Sequence, residues 1–435
     1  MTFKDLNEAF VWIWLPGHIN PVVAGKMTRD DDQFVFNYGQ SYLKRKNKIS
    51  IYIKELPLKP GIINPPIGLS LASCLRDSSP DAWGRKVIIN RKFGRKGRNI
   101  DTNHLDELTY LLESGSDRIG FLDFQISSTQ YIPRINKQAS LDELIQSAKK
   151  VEDGTPLSED LDQALNHGTS IGGARPKALI EEYDKKYIAK FSSSSDVYNV
   201  IKAEFIAMRL AEKVGIRVAP VRLTRSSGKD VLLVERFDRY KTDKGWCRLG
   251  LISGLTLLGL NELQARYASY ENLAHFIRIN FKNPKEELRE LFKRLIFNII
   301  TGNTDDHARN HAAIWDGDQF LLSPAYDICP QSRSGNIASQ GMIIFQQKNM
   351  SQLSICIEAC HQFLLDSSET VVIIEKTLKD LLNSWESVCK EANLSEVDRN
   401  LFSQRFFLNS FIFEGLPRDA NHLEEYREKF LKLNN

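Results

Sequence analysis

The stretch that decides the fold is Thr301-Gly-Asn-Thr-Asp-Asp-His-Ala-Arg-Asn-His311. An apolar run, Leu295 to Ile300, precedes it, and a second one, Ala312 to Trp315, follows, so the flanks carry a polar loop to the edge of a core. Holding several polar groups in such a place is costly unless they bind something. Further on, Asp316–Gly317 marks the turn of a hairpin over 312–322, and Ser323-Pro-Ala-Tyr-Asp-Ile328 comes next. The chain therefore presents Asp305, then Asn310 five positions later, then Asp327 beyond a short hairpin.

Moving a γ-phosphoryl group requires a carboxylate near the attacking hydroxyl and oxygen ligands that hold Mg²⁺ on the phosphates. Asp305 suits the first role; Asn310 and Asp327 suit the second. Protein kinases place Asp and Asn at this same spacing, with a metal-binding Asp past a hairpin. Thr-Asp-Asp-His alone is also a good turn and cap sequence, so the weight rests on the three positions together. His307 and His311 lack the glutamate of H-E-x-x-H and have no cysteine close by, which argues against zinc. His307 is assigned to the ATP-binding group, its plainer role being to anchor the loop by hydrogen bonds.

Upstream, His167-Gly-Thr-Ser-Ile-Gly-Gly-Ala-Arg-Pro-Lys177 places closely spaced glycines before a strand, where backbone N–H groups can approach phosphate oxygens. It is neither a Walker A loop nor G-x-G-x-x-G. Gly172, Gly173, Ala174 and Lys177 are the candidate phosphate contacts, against the plainer reading of a glycine turn with Arg175 and Lys177 on a solvated side. Strands follow over 177–183 and 187–191, the second ending near Lys190, the position of a phosphate-binding lysine. An amphipathic helix runs from about Val200 to Val214 and is ended by Gly215. Glu204 on it is either an ion-pair partner or a surface residue. Strands over Pro220 to Thr224 and Val231 to Arg236 lead to Leu-Leu-Val-Glu-Arg-Phe-Asp-Arg (232–239), where Glu235 and Phe237 would face an adenine. Residues 256–435 read as mostly helical. Gly-rich loop, strand pair, helix, strand pair and helical half is the order of a kinase-type small lobe and large lobe.

The first part of the chain reads as strands at Phe10 to Leu15 and Ile49 to Ile53, and a Pro- and Gly-rich break from Pro57 to Pro66. A helix starts near Pro80, with Asp77, Ser78 and Ser79 available to cap it, and another spans about His104 to Leu112. Arg118 to Phe124 returns to a strand pattern. Ser140 with Glu143 forms a capping box ahead of a further helix. These elements divide the chain into a β-rich N-terminal subdomain (1–130), a small lobe with the Gly-rich loop and hinge (131–245), and a helical large lobe (246–435). The expected class is α+β.

At 435 residues the chain is long enough for two or three lobes, and 42% hydrophobic with 26% charged residues is ordinary for a globular protein. A formal net charge of +3 does not by itself call for nucleic acid. Arg85, Lys86, Arg91, Lys92, Arg95, Lys96 and Arg98 form a basic run, either a solvated helix face or a patch for DNA or an acidic partner. Six scattered cysteines without a C-x-x-C pair fit a reduced, cytoplasmic chain. No run of about 18 apolar residues and no basic, apolar leader occurs, so a membrane span or secretory signal is not expected.

At Ser170–Lys177, Val234–Arg239, Thr304–Asn310 and Tyr326–Ile328 the chain resembles the HipA-type serine/threonine kinases, the toxins of bacterial HipBA toxin–antitoxin pairs. Ser79–Arg85 and Leu111–Phe121 add weaker likeness. The resemblance implies a protein-kinase-like two-lobe core with a β-rich N-terminal subdomain and an all-helical C-terminal lobe. It implies Asp305 as catalytic aspartate, Asn310 and Asp327 as Mg²⁺ ligands, Lys190 on the ATP phosphates, and Glu235 and Phe237 at the adenine. Ser170 matches the position that these kinases autophosphorylate; a phosphate there brings nearly two negative charges into a loop built for ATP phosphates. Family substrates include aminoacyl-tRNA synthetases, and the usual partner is a small helix-turn-helix, HipB-like antitoxin that also binds operator DNA. Arg175–Pro176, Asp306 and the stretch after Arg248 depart from the familiar members, which bears on substrate and partner. Two alternatives stay open: a small-molecule or lipid-type kinase, and a pseudokinase co-repressor using the basic run.

Overall fold

The computed structural model describes residues 7–94, 100–101, 105–134, 139–157, 175–333 and 335–434. Contacts group the chain into two compact units, each assembled from stretches that are not consecutive. The first holds residues 1–195, 224–261 and 313–319, and the second 196–223, 262–312 and 320–435.

The first unit opens with a five-stranded sheet. Strands β1 (Glu8–Ile13), β2 (Val22–Asp30), β3 (Gln33–Tyr38), β4 (Ile62–Ile63) and β5 (Leu122–Gln125) are arranged in the order β4-β3-β2-β1-β5. β1 pairs antiparallel with both β2 and β5, so the strand that begins the chain lies inside the sheet and buries Ala9, Val11 and Ile13 completely. The strand expected at Ile49 to Ile53 does not form. Its backbone groups are claimed by tyrosines instead: the Tyr42 hydroxyl donates to the Ile49 carbonyl at 2.8 Å, and the Ile51 N–H donates to the Tyr38 hydroxyl at 3.0 Å. Side-chain partners thus substitute for a ladder, and β propensity has nothing left to pair.

Helix Ala82–Phe93 starts where Pro80 suggested, but its cap is Asp81, whose carboxylate accepts the Gly84 N–H. Asp77 serves elsewhere, accepting from the backbone and hydroxyl of Ser253. Helix Glu107–Glu113 is capped by Asp106. The capping box is present: Ser140 accepts from the Glu143 N–H, and Glu143 accepts from the Ser140 N–H at 2.8 Å, opening helix Leu141–Glu152.

A second sheet follows, with β6 (Lys177–Glu182), β7 (Lys185–Phe191), β8 (Val221–Ser226) and β9 (Lys229–Glu235) in the order β6-β7-β9-β8. Its inner face packs Ala178, Ala189, Phe191, Val231 and Leu233 against Trp83 and Val87 of one helix and Leu144, Ile145 and Ala148 of another, making one continuous core. The Trp83 indole N–H donates to the Lys177 carbonyl at 3.0 Å, fixing helix to strand.

The second unit is mainly helical. Helix Val200–Lys213 stops at Gly215, whose φ of +80° suits only glycine without strain. Helix Pro284–Ile300 carries proline in its first turn and buries Leu288, Leu291, Phe292, Leu295, Ile296 and Ile299. Helix Ser367–Glu391, opened by an Asp366/Glu369 capping box, buries Trp385 between Phe407 and Phe430, with ring centroids at 4.9 and 4.8 Å. Strands Ala312–Trp315 and Phe320–Leu322 flank the expected Asp316–Gly317 turn, and residues 313–319 of this hairpin group with the first unit. All six cysteines are free and buried, and no helix among the described residues is long and apolar enough to cross a membrane.

Candidate active site

Helix Pro284–Ile300 delivers the chain to the loop at its end, and several bonds fix that loop. Gly302 turns with φ +69°, and a Cβ there would stand 2.6 Å from the Phe406 carbonyl oxygen, so no other residue fits. The Leu408 N–H donates to the Ile300 carbonyl at 2.8 Å, and the Gly341 N–H donates to the Thr304 carbonyl at 3.0 Å.

Beneath the loop lies a buried polar chain. Asp306, 2% exposed, accepts from the Tyr270 hydroxyl and from His311 Nε2 at 3.1 Å. The Tyr270 hydroxyl in turn accepts from the Asn298 amide at 3.3 Å, and Asn298 accepts from Asn303 at 3.0 Å. Burial first, and then the Asp306 carboxylate, push the Tyr270 pKa far above its ordinary value, so this phenol stays a donor. With Asp306 locked inward, its neighbour Asp305 emerges on the surface of the loop. Adjacent aspartates therefore divide the work: Asp306 anchors and Asp305 is presented.

The Asn310 amide donates to the Asp305 carbonyl at 3.5 Å, and Asn310 itself is buried to 8% exposure. The segment bearing Asp327 is sewn to the same loop. The Tyr326 hydroxyl donates to the Arg309 carbonyl at 2.7 Å, and the Gln331 N–H donates to the Gly302 carbonyl at 3.0 Å. Arg294, buried with Glu290, donates to the Ser323 carbonyl at 2.7 Å and steadies the run into that segment. Asp327 adopts φ +59°, a left-handed conformation that aspartate tolerates better than most residues. Asp305, Asn310 and Asp327 thus stand on two segments bonded to each other within one unit. Their donors are hard oxygens, the set that Mg²⁺ prefers. No cluster of three or more His, Cys, Asp or Glu side chains suited to a metal occurs among the described residues.

The loop-anchoring histidine is His311, not His307. His307 is half-buried, and its Nδ1 is buried without a hydrogen-bond partner. Neither Tyr270 nor Asn298 stands out in the sequence, and nothing local to Asp306 or His311 gives them an anchoring role there. The available signal was the doubled Asp305–Asp306, since two adjacent carboxylates cannot share one surface role.

The remaining expected residues fall elsewhere. Ser170, Gly172, Gly173 and Ala174 lie outside the described residues. Lys177 and Lys190 are directly paired across β6 and β7, so their side chains share a face of the sheet. Lys177 is not on a solvated side: it is 2% exposed, with its ammonium 2.9 Å from Asp81. Lys190 is 9% exposed. Glu204 is 2% exposed, which removes the surface reading. Glu235 pairs with Lys185 at 2.5 Å, and Phe237 is half-buried.

Between Glu235 and Arg239 the structure shows a further device. Arg236 grips Asp238 with two bonds of 2.9 and 2.8 Å, reaches Asp117 at 3.0 Å, and donates to the Arg118 carbonyl at 2.7 Å. Asp238 also accepts the Gly120 N–H at 2.8 Å, and Arg239 joins both aspartates. Burial alone would raise the Asp238 pKa, but Arg236 and Arg239 outweigh it and bring it down to about 2. This clamp locks the 117–120 turn to the strand end at 236–239. In the basic run, Arg85 pairs with Glu107, and Arg91 and Lys92 share Glu113, while Lys86 is exposed; Arg95, Lys96 and Arg98 lie outside the described residues.

Comparison with known proteins finds two family domains and a similar fold. A HipA N-terminal domain matches residues 15–125, and a HipA-like C-terminal domain matches 169–385. The protein Y4mE of Sinorhizobium fredii is 29% identical over 150 residues, 33% of this chain and 34% of its own length. The serine/threonine-protein kinase toxin HipA of Shewanella oneidensis is 23% identical over 186 residues, 37% of this chain and 42% of its own length. The chain thus matches less than half of either relative's length. The fold is similar to a chain of the Shewanella oneidensis toxin–antitoxin complex of HipA, HipB and operator DNA, with a TM-score of 0.63, 16% identity, and coverage of 98% of this chain and 96% of that one. With both of the family's domains matched in order, and a similar fold along nearly its whole length, the chain belongs to the HipA family.

Proposed function

We propose that the protein is an ATP- and Mg²⁺-dependent serine/threonine-protein kinase acting as the toxin of a type II toxin–antitoxin pair. The observation that carries this reading is Asp305 presented at the loop surface by the anchored Asp306, on a loop bonded to the segment of Asp327. In the reaction a substrate hydroxyl oxygen bonds to the γ-phosphorus of ATP as the bond to the ADP oxygen breaks. The hydroxyl proton passes to Asp305, which also orients the oxygen. Asn310 and Asp327 would hold Mg²⁺, which when bound neutralises charge on the phosphates. Lys190 contributes a cation to the phosphates, His307 and Lys177 complete the ATP contacts with Gly172, Gly173 and Ala174, and Glu235 and Phe237 flank the adenine. Ser170 is the proposed autophosphorylation site.

A helix-turn-helix antitoxin is the proposed partner, with operator DNA reached mainly through it; the fold is similar to a chain of a complex that contains HipA, HipB and operator DNA. The pairing of Arg85 with Glu107, and of Arg91 and Lys92 with Glu113, offsets part of the charge of the basic run, which favours that indirect route. The proposed substrate is a translation component such as an aminoacyl-tRNA synthetase.

The test is the intact mass of the purified chain after incubation with ATP and Mg²⁺, beside Asp305→Ala and Asp327→Ala. A phosphate gained by the wild type alone and mapped to Ser170 is expected. Asp305→Ala should lose roughly 10²-fold or more in rate while keeping nucleotide binding, whereas Asp327→Ala should also weaken binding in Mg²⁺. Near-normal turnover in both variants would sink the assignment.

A further inference from the structure

Six residues beyond Asp327, Arg333 lines a cavity of about 410 Å³ in the second unit together with Arg405 and Arg427. The three come from separate pieces of chain: the segment after Asp327, the turn Phe402–Phe406, and helix Glu425–Lys432. Asn336, Gln404 and Asn409 add polar groups to the lining, and no acidic side chain contributes to it. Among the described residues none of the three arginines has a carboxylate partner. Arg333 donates through Nη1 to the Asn336 carbonyl at 3.3 Å, but its Nε and Nη2 are buried without any acceptor, and so is Nε of Arg427. Asn409 spends its side-chain oxygen on the Phe411 N–H at 3.0 Å, which leaves its amide N–H groups as donors.

Gathering three like charges around buried, unsatisfied donors is unfavourable unless an anion completes the site. The charged groups there are all donors and the unsatisfied buried atoms are guanidinium N–H groups, so the missing element is an acceptor of multiple bonds. Guanidinium forks match paired oxygens of carboxylates and phosphates, and a phosphate offers enough oxygens to meet several arginines at once. The cavity is several times the size of one phosphate, so its shape suits a phosphate carried on an organic group.

We propose that the Arg333/Arg405/Arg427 cavity binds a phosphomonoester, either a phosphorylated serine or threonine side chain or free phosphate. Occupancy would hold Arg333 at the far end of the segment that begins at Asp327, the kind of anchoring by which a phosphate orders a loop. The binding does not depend on the kinase reading, and the test does not use activity.

The test measures binding of a phosphoserine peptide, the same peptide without phosphate, and inorganic phosphate at matched ionic strength, by calorimetry and ³¹P NMR. Wild type should prefer the phosphorylated peptide by at least about tenfold. Arg405→Gln and Arg427→Gln should each weaken it by roughly tenfold or more, while Lys190→Ala leaves it intact. Arg405→Lys, which keeps the charge and loses the fork, should fall between, and retained melting temperatures show that the variants fold. Equal binding of inorganic phosphate and phosphopeptide, with the same dependence on the arginines, assigns the site to the free ion. Indifference of phosphopeptide and phosphate binding to both Gln variants overturns the proposal. So does single-stranded RNA binding that these variants abolish and phosphoserine fails to displace.

Discussion

Replacing Asp306 by asparagine tests whether the buried chain beneath the loop presents Asp305. Both carboxylate oxygens are in use, one by the Tyr270 hydroxyl and the other by His311 Nε2 at 3.1 Å. Asparagine keeps the shape but offers one acceptor oxygen, so whichever way the amide turns, one donor loses its acceptor. Moving the His311 proton to Nδ1 gives no relief, because that atom is buried without a partner. A hydrogen bond to a charged group is worth about 1.5–3 kcal/mol and a neutral one about 0.5–1.5 kcal/mol. Losing one and weakening the other costs about 2–4 kcal/mol in total. For a unit of this size that corresponds to a drop of roughly 5–15 °C in melting temperature. Phosphorylation should fall as well, by up to about 10²-fold if Asp305 moves by about 1 Å. The assay is calorimetry on wild type, Asp306→Asn, Tyr270→Phe and the double variant, with initial rates on the same four proteins. The cycle should show a coupling of about 1 kcal/mol or more, since the groups are in direct contact. A melting temperature within about 1 °C of wild type, with additive effects around the cycle, would refute the reasoning.

Arg236→Met should destabilise the first unit by up to about 3–5 kcal/mol, because it removes one of the two buried arginines that bridge Asp117 and Asp238 and leaves only Arg239 joining both; a urea titration followed by tryptophan fluorescence reads this out. The pH dependence has a definite sign. Asp238 is held at about 2, below its ordinary 3.8, so its contribution to stability is complete above about pH 4 and is lost as pH falls toward 2. Melting temperatures that rise through that acid window would contradict the clamp.

Local rules carried much of the structure. The Ser140–Glu143 box, the helix closed by Gly215 and the β6–β7 hairpin follow from residues within a few positions of one another, and they lie where expected. The loop with Asp305 and Asn310 was legible for the same reason, because its spacing is short and its flanks are apolar. Misreadings came where a distant side chain took over a backbone or a charge. Tyr38 and Tyr42 occupy the backbone of the stretch around Ile49 to Ile51, so residues with strand propensity form no strand. His311 outcompetes His307 as the anchor because Asp306 points toward it, a fact set by Tyr270, 36 residues earlier. Asp81 takes the Lys177 ammonium across 96 residues of chain. The Arg236 clamp was invisible because its partners, Asp117 and Gly120, lie more than a hundred residues upstream.

The way the first unit is assembled bears on how the protein can be made. Its last-arriving piece, residues 313–319, seats the Trp315 indole on the Ser50 carbonyl at 2.9 Å and brings Gly317 so near Ile49 that a Cβ would stand 2.4 Å from that side chain. Domains usually fold in the order in which they leave the ribosome. Here the packing around Ile49 and Ser50 must wait for residues 313–319, by which time part of the second unit has also emerged. The first unit is therefore completed only after much of the second has been made, and a single cut between residues 196 and 312 leaves both units incomplete.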